Sequence, residues 1–370
     1  MKLSASIIST LLLVSAQLLI TSYAYAAVVE PTGRDTSVSV NYDLSSSPSN
    51  FNIWNHESGG FNPDNPSLWG RNNWRCLSNT SPSTGQCKSG EAKNSQGDWG
   101  AGGTTSIPTL FIEKRTGLQA VINLEGYHAG ENGKFQVTSA DSAGSGSEQF
   151  LSVYITSAEL KKLPVGGIWE GTLALDLWQW SPGKNLARWT AHITLNATDN
   201  NNQQIYLPEF GDAAPRVDLN LRPLPGTGGN QTQMNGAATL DMCLYDGYGS
   251  NSTSFTLKFD DLQQGSIARN NGYFSIYSDH GDVNLDSGRI DYYVKMQGTD
   301  GRYTSVIRGE DRVISNIQTA HVRPVHLPGI PQAVLCVPAP LQLSTKTLDI
   351  NSKQAGHYTG HLIVNFTPQL

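Results

Sequence analysis

Two short clusters in this chain carry residue types that do chemistry. His56-Glu57-Ser58-Gly59-Gly60 sets an imidazole, a carboxylate and a hydroxyl side by side, the groups of a proteolytic site. The surrounding signature is absent: the chain holds no G-x-S-x-G, no H-E-x-x-H and no Walker loop. A polar loop is the simpler account of these five residues. Asp282-Val283-Asn284-Leu285-Asp286 imitates the first half of a calcium loop. Ser287 stands where the sharp turn needs glycine, and Tyr293 stands where a bidentate Glu belongs, so a hairpin turn is expected instead. Carboxylates that cleave glycosides meet in space, and their spacing along a chain says nothing about them. There is no Cys-x-x-Cys, and no cysteine has a histidine at ligand spacing, so a metal is not expected. Neither a cofactor nor an enzyme activity is implied.

Binding chemistry is better represented. All eight tryptophans precede residue 190, at Trp54, Trp69, Trp74, Trp99, Trp169, Trp178, Trp180 and Trp189. One shared core would hardly sort its largest aromatic that way, so two domains with different tasks are expected. Tryptophan presents much flat area at small entropic cost, which suits it to sugars and partner surfaces. The first half is therefore where recognition is expected.

A chain of 370 residues has room for two ordinary domains. Residues 1–26 read as a signal peptide. Lys2 supplies the positive start, Leu11 to Ile20 an apolar run, and Ala24-Tyr25-Ala26 an A-x-A cleavage site. Export permits disulfides. The four cysteines allow three pairings. Pairing within each half, Cys76 with Cys87 and Cys243 with Cys336, would give a local clamp and a long-range staple. On the chain-entropy account these would be worth roughly 3 and 4–5 kcal/mol. Net charge is -6 with 25 basic residues and no long basic run, which argues against nucleic acid as a partner.

The elements that must position these residues read as strands. Phe150 to Ile155, the alternation of Leu173, Leu175 and Leu177, and His192 to Leu195 are strand-like in the first half. Ser157 to Leu163 reads as one or two helical turns with Ser157 as N-cap. Asp199 to Gln204 holds no apolar residue and marks a linker at 200–203, between 27–199 and 204–370. Beyond it Val217, Leu219 and Leu221 alternate with polar residues, as do Phe255, Leu257 and Phe259. The last residues, Leu362, Val364 and Phe366, form a strong strand with almost nothing behind it. Many short strands with turn chemistry between them predict an all-β protein of the sandwich class. Either an earlier strand covers the edge of the last one, or a partner does.

Several runs, in order, carry a resemblance. They are Ala158 to Trp169 (AELKKLPVGGIW), Leu207 to Phe210 (LPEF), Arg216 to Pro223 (RVDLNLRP), Asp241 to Tyr248 (DMCLYDGY) and Ala355 to Gly360 (AGHYTG) leading into the final strand. Together they resemble the minor tip subunits of class 5 (alpha) fimbriae, the colonisation-factor tip adhesins and CblD-like pilus initiator proteins. The resemblance implies two immunoglobulin-like β-sandwiches in tandem, an adhesin domain and then a pilin domain. The pilin sandwich is incomplete. A periplasmic chaperone first shields its groove, export runs through an outer-membrane usher, and a donor strand from the major pilin then fills the gap. The residues that fit the groove walls are Val217, Leu219 and Leu221 on one side and Leu362, Val364 and Phe366 on the other. Such a subunit accepts a strand and caps the fibre tip at the cell surface.

The resemblance also implies a host-cell glycoconjugate receptor, contacted by a small arginine cluster at the outer pole of the first domain. The matching positions here are Arg71, Gln179 and Trp180, so most of the charge has been exchanged for aromatic surface. An arginine fork combined with indole stacking is expected there. The alternative is a secreted glycan-binding or glycan-cleaving β-sandwich protein, which would need a self-complete second sandwich.

Overall fold

The computed structural model describes residues 27–46, 48–88, 103–131, 133–140, 147–211, 214–225 and 232–369. The signal-peptide segment 1–26 and Trp99 lie outside the described residues. Among the described residues, nine strands build the first half: β1 (Arg34–Asp43), β2 (Phe51–Ser58), β3 (Asn72–Cys76), β4 (Thr105–Glu113), β5 (Gln119–Gly130), β6 (Gly133–Gln136), β7 (Phe150–Ile155), β8 (Gly167–Trp180) and β9 (Gly183–Thr198). They form one hydrogen-bonded sheet in the order β1-β9-β8-β4-β5-β7-β2, with β3 added to β8 and β6 to β5. The two ends of this path meet across the core. Trp54 of β2 donates to the Thr36 hydroxyl of β1 at 3.3 Å and packs edge-on to Trp189 of β9 at 5.6 Å.

Period-2 patterning puts Leu173, Leu175 and Leu177 inside. The same side of the sheet takes up four of the tryptophans. Trp54, Trp74, Trp169 and Trp189 are all buried, and Trp74 meets Trp189 edge-to-face at 5.2 Å. Much of the tryptophan skew is thus core chemistry, not recognition. Indole area fills a wide sandwich, and the ring N–H still needs an acceptor: Trp189 finds the Thr32 carbonyl at 2.9 Å, and Trp169 that of Val165 at 3.2 Å. The short helix α1 (Ser157–Leu160) is capped by Thr156, whose hydroxyl accepts from the Glu159 amide, and not by Ser157 as expected. His56 to Ser58 belong to β2 and do not form a loop.

The second half is a sandwich of small sheets. Strands Ala237–Leu240, Leu341–Thr345, Arg289–Gln297, Phe274–Ser278 and Tyr358–Thr359 lie in order in one layer. Asp311–Ser315, Ser254–Asp261 and Leu362–Gln369 lie in another. Phe255, Leu257, Phe259, Phe274 and Val294 are fully buried between them. Asp282 to Asp286 fall in the connection between two paired strands, with Asp282 accepting from the Asn284 amide at 2.8 Å, as a turn requires. Of the three cysteine pairings, the one within each half is formed: Cys76–Cys87 and Cys243–Cys336. The second ties adjacent strands across a separation of 93 residues. At the end of Ser254–Asp261 a buried Arg269 forks onto Asp261, their side chains 1 % and 0 % exposed. Asp261 also accepts from the Ser275 amide at 2.9 Å, so the buried carboxylate is saturated.

Candidate functional site

The C-terminal strand Leu362–Gln369 pairs with Ser254–Asp261 along its whole length, from Leu362 opposite Asp261 to Gln369 opposite Ser254. Among the described residues, no strand pairs with its other edge. The consequence shows in burial. Inward positions of its partner strand are fully buried, whereas those of the C-terminal strand, Leu362, Val364 and Phe366, are only half-buried. Opposite the free edge the chain at 215–221 has no ladder partner among the described residues. Its alternation holds even so: Leu219 is buried and Val217 half-buried, while Arg216, Asp218 and Asn220 face solvent. A strand begins only beyond it, at Arg222–Pro223, so the regular strand expected over Val217 to Leu221 is instead a rim with no ladder partner among the described residues. Asn220 adopts φ 51°, a left-handed conformation that asparagine tolerates.

Between rim and strand lies an apolar groove of about 600 Å³. Val217 and Leu219 line one wall, and Leu362 and Val364 the other. Leu221 and Phe366 do not line it. Leu221 lies over Gly236, and Phe366 packs edge-on to Phe255 at 5.0 Å. Ile205, Leu207, Met242, Leu341 and Leu343 belong to the rest of the apolar lining, with Leu240, Ile276 and Tyr292 beside them. Sequence reading passed over these. The alternation of Leu341 and Leu343 was visible, but which strand lies beneath a gap is a matter of sheet order. The groove can take one apolar-alternating strand, whose backbone would satisfy the free edge of Leu362–Gln369.

The outer pole of the first half sits at the β8–β9 turn. β3 pairs with β8 in the register Asn72 opposite Gln179, which brings Arg71 beside Trp180. The Arg71 guanidinium lies 5.3 Å from the Trp180 ring centre and donates to the Ser181 hydroxyl at 3.1 Å. The Trp180 amide returns a bond to the Arg71 carbonyl at 3.1 Å. Gln179 points the other way: it is 5 % exposed, and its amide donates to the Pro182 carbonyl at 3.4 Å. Strand alternation separates the trio, with Arg71 and Trp180 together at the surface and Gln179 beneath the turn. Further along the same strand pair, Arg75 covers the Trp178 ring at 4.1 Å, a second cation–π stack that strand periodicity alone does not announce.

The opposite pole touches the second half. Arg115, following β4, donates to the carbonyls of Ser250, Ile317 and Ala320. The Asp199 amide donates to the Gly247 carbonyl at 2.7 Å. Gly166 lies so close to Gly247 that any side chain there would collide with that carbonyl.

Residues 23–200 match the first domain of CfaE, a fimbrial protein of CFA/I, and residues 203–370 match its second domain. The chain belongs to the CfaE family of fimbrial proteins. A curated member, the CFA/I fimbrial protein CfaE of Escherichia coli, is 31% identical over 368 residues, 94% of each chain. The crystal structure of CfaE, described as the adhesive component of CFA/I fimbria of enterotoxigenic E. coli, aligns with a TM-score of 0.77. It is 29% identical over 92% of this chain and 94% of that one. A structure reported as a chaperone–tip adhesin complex in CFA/I fimbriae biogenesis aligns with a TM-score of 0.66, at 28% identity over 94% and 99% of the two chains.

In this family member the outer pole rests on a buried histidine. His128 of β5 is fully buried, and its Nδ1 donates to the Gln149 amide oxygen at 2.9 Å. Burial pulls its pKa down from 6.5 to about 4. The unfolded chain binds a proton near pH 6.5 and the folded one only near 4. Stability is therefore full above about 6.5 and is lost as the pH falls through that window, by up to about 3 kcal/mol. Every tryptophan lies in the first half, so indole fluorescence reports unfolding of that half alone. Denaturant midpoints read this way should fall between pH 6.5 and 4, and a His128→Gln chain should show a shallower pH slope. Equal slopes in the two chains would refute the assignment.

Proposed function

We propose that this chain is the tip adhesin and assembly initiator of a fimbria. Residues 204–370 act as the incomplete pilin domain and 27–199 as the adhesin domain, joined at 200–203. The observation that carries this reading is the edge of Leu362–Gln369 that no strand among the described residues pairs with, facing an apolar groove. An exposed apolar strand edge is an aggregation hazard unless another chain covers it. A periplasmic chaperone covers it first, the outer-membrane usher receives the complex, and a donor strand of the major pilin then takes the chaperone's place. With an adhesin domain ahead of the pilin domain, the chain accepts a strand without donating one, which places it at the fibre end on the cell surface. No residue is given a catalytic role.

Receptor contact is assigned to the outer pole, where Arg71 and Trp180 form a half-buried cation–π pair at the surface. Gln179 supports the turn from below. The ligand is a host glycoconjugate, gripped by the guanidinium fork and the indole face. Immunogold labelling of assembled fibres with antibody to this chain should mark ends only. Label spread along the shaft would mean that the chain donates strands as well, and the tip assignment would fall.

A further inference from the structure

We propose that the outer pole carries a second ligand site, a cleft for one neutral pyranose ring, distinct from the Arg71–Trp180 pair. The proposal rests on the reading of the first half as the adhesive half. The cleft lies between the end of β2, the end of β5 and the start of β7, and holds about 340 Å³, within the size range of small-ligand sites. His56, Phe61 and Phe150 form its apolar surface, and Glu131 and Glu148 its acidic one.

Its floor is a pair of parallel rings. His56 stacks on Phe150 with centroids 4.1 Å apart and planes 6° from parallel. Stacking of this kind is ordinary packing when both rings are buried, but here His56 is exposed. The backbone holds it there against its preference. His56 adopts φ 56°, and the β2–β7 register slips on both sides of Trp54, the second time before Glu57. A left-handed non-glycine residue costs roughly 1–2 kcal/mol, and a bulge re-aims the side chain it carries. The His56 amide is caught by the Ser152 hydroxyl at 3.1 Å, which stabilises the distortion. Strain of this sort persists where surrounding structure over-determines it, and such places concentrate at ligand sites.

The walls are equally determined. Glu148 accepts from the Ser58 hydroxyl, so its carboxylate is oriented while acceptor capacity remains. Gln149, between the two lining residues Glu148 and Phe150, is buried and bonded to His128, and its carbonyl accepts from the Gly59 amide at 2.9 Å. Asn72, next to Arg71, donates to the Gly59 carbonyl at 3.0 Å, which joins the cleft to the arginine site through one short network. Flat rings suit the C–H face of a pyranose, and carboxylates accept from its hydroxyls. Two carboxylates, with no cation lining the cleft among the described residues, repel sialic acid and sulfate, which sets the preference for an uncharged sugar.

The test uses the purified full chain with N-acetyllactosamine as probe, read by saturation-transfer NMR and titration, beside binding of the same chain to epithelial cells. His56→Asn removes the imidazole while tolerating the left-handed backbone, and is expected to weaken probe binding at least tenfold with an unchanged melting temperature. Glu131→Gln, at an exposed position, should weaken it several-fold and serves if the first variant is unstable. The titrations are repeated in an Arg71→Ala background, which removes the arginine site, and probe binding by the cleft should persist there. In that Arg71→Ala background, a sialylated form of the probe should bind at least tenfold more weakly. Absence of probe binding, or loss with Arg71→Ala and not with His56→Asn, overturns the cleft. Cell binding that survives either result keeps the adhesin reading intact, and its absence in the unsubstituted chain removes that reading instead.

Discussion

A donor strand fused behind Leu370 through a short flexible linker is expected to convert an aggregating chain into a stable monomer and to raise its melting temperature by about 8–16 °C. The reasoning starts from the C-terminal strand. Among the described residues it has a ladder partner on one side only, and its inward side chains Leu362, Val364 and Phe366 are half-buried. An added strand would cover these and fill a groove of about 600 Å³. Tethering turns pairing into an intramolecular event at roughly millimolar effective concentration. A ligand present at about a thousand times its dissociation constant stabilises by about 4 kcal/mol. At about 2–4 °C per kcal/mol for a domain of this size, that gives the stated shift. Val364→Lys, which sets an ammonium in the groove, should abolish most of the gain. Hydrogen exchange offers an independent reading: every second amide of the strand should exchange quickly without the donor and slowly with it. An unfused chain that is already monomeric, with those amides protected, would falsify the incomplete-sandwich mechanism.

Alanine at Arg71 or at Trp180 is expected to lower adhesion to host cells by about 30-fold or more while leaving fibre assembly unchanged. Loss of a central aromatic or arginine anchor at an interface costs about 2 kcal/mol or more, and about 1.4 kcal/mol is a tenfold change. The two residues act together because the guanidinium lies 5.3 Å from the indole centre. Each presents the other, so the double substitution should cost less than the sum of the single ones. Arg71→Lys should recover only part of the affinity, since an ammonium keeps the charge but loses the planar fork bonded to Ser181. On the proposed reading, assembly runs through the groove in the other half, which neither substitution touches. Adhesion at the unsubstituted level in both alanine chains would remove the site, and loss of fibres would show that the pole also serves assembly.

Legibility from sequence varied with the range of the interactions involved. Strand patterning around Leu173 to Leu177 and Phe255 to Phe259 was readable because alternation is a local property, and both runs are buried as their period required. The cysteine pairing needed the structure, since spacing alone allows three answers. The Val217 to Leu221 segment shows the limit. Its alternation predicted a strand, and the side chains do alternate, yet the ladder that would make it a strand is missing among the described residues. Alternation reports which face is buried, not whether a neighbour exists. The helix cap shifted by one residue, from Ser157 to Thr156, because either hydroxyl fits the local pattern and the backbone decides: Thr156 is extended, with its hydroxyl on the Glu159 amide, while Ser157 is already helical.

Residue order by itself determined that this is an exported-type all-β chain in two halves, that its aromatic weight lies in the first, and that it ends on a strong strand. Those are consequences of composition and near-neighbour periodicity. Among the described residues, tertiary structure decided which tryptophans are core and which are surface, that Gln179 turns inward while Arg71 meets Trp180, and that the last strand has an open flank. Each of these depends on which distant segment lies alongside, and sheet order is set by burial summed over the whole domain and not by any local run.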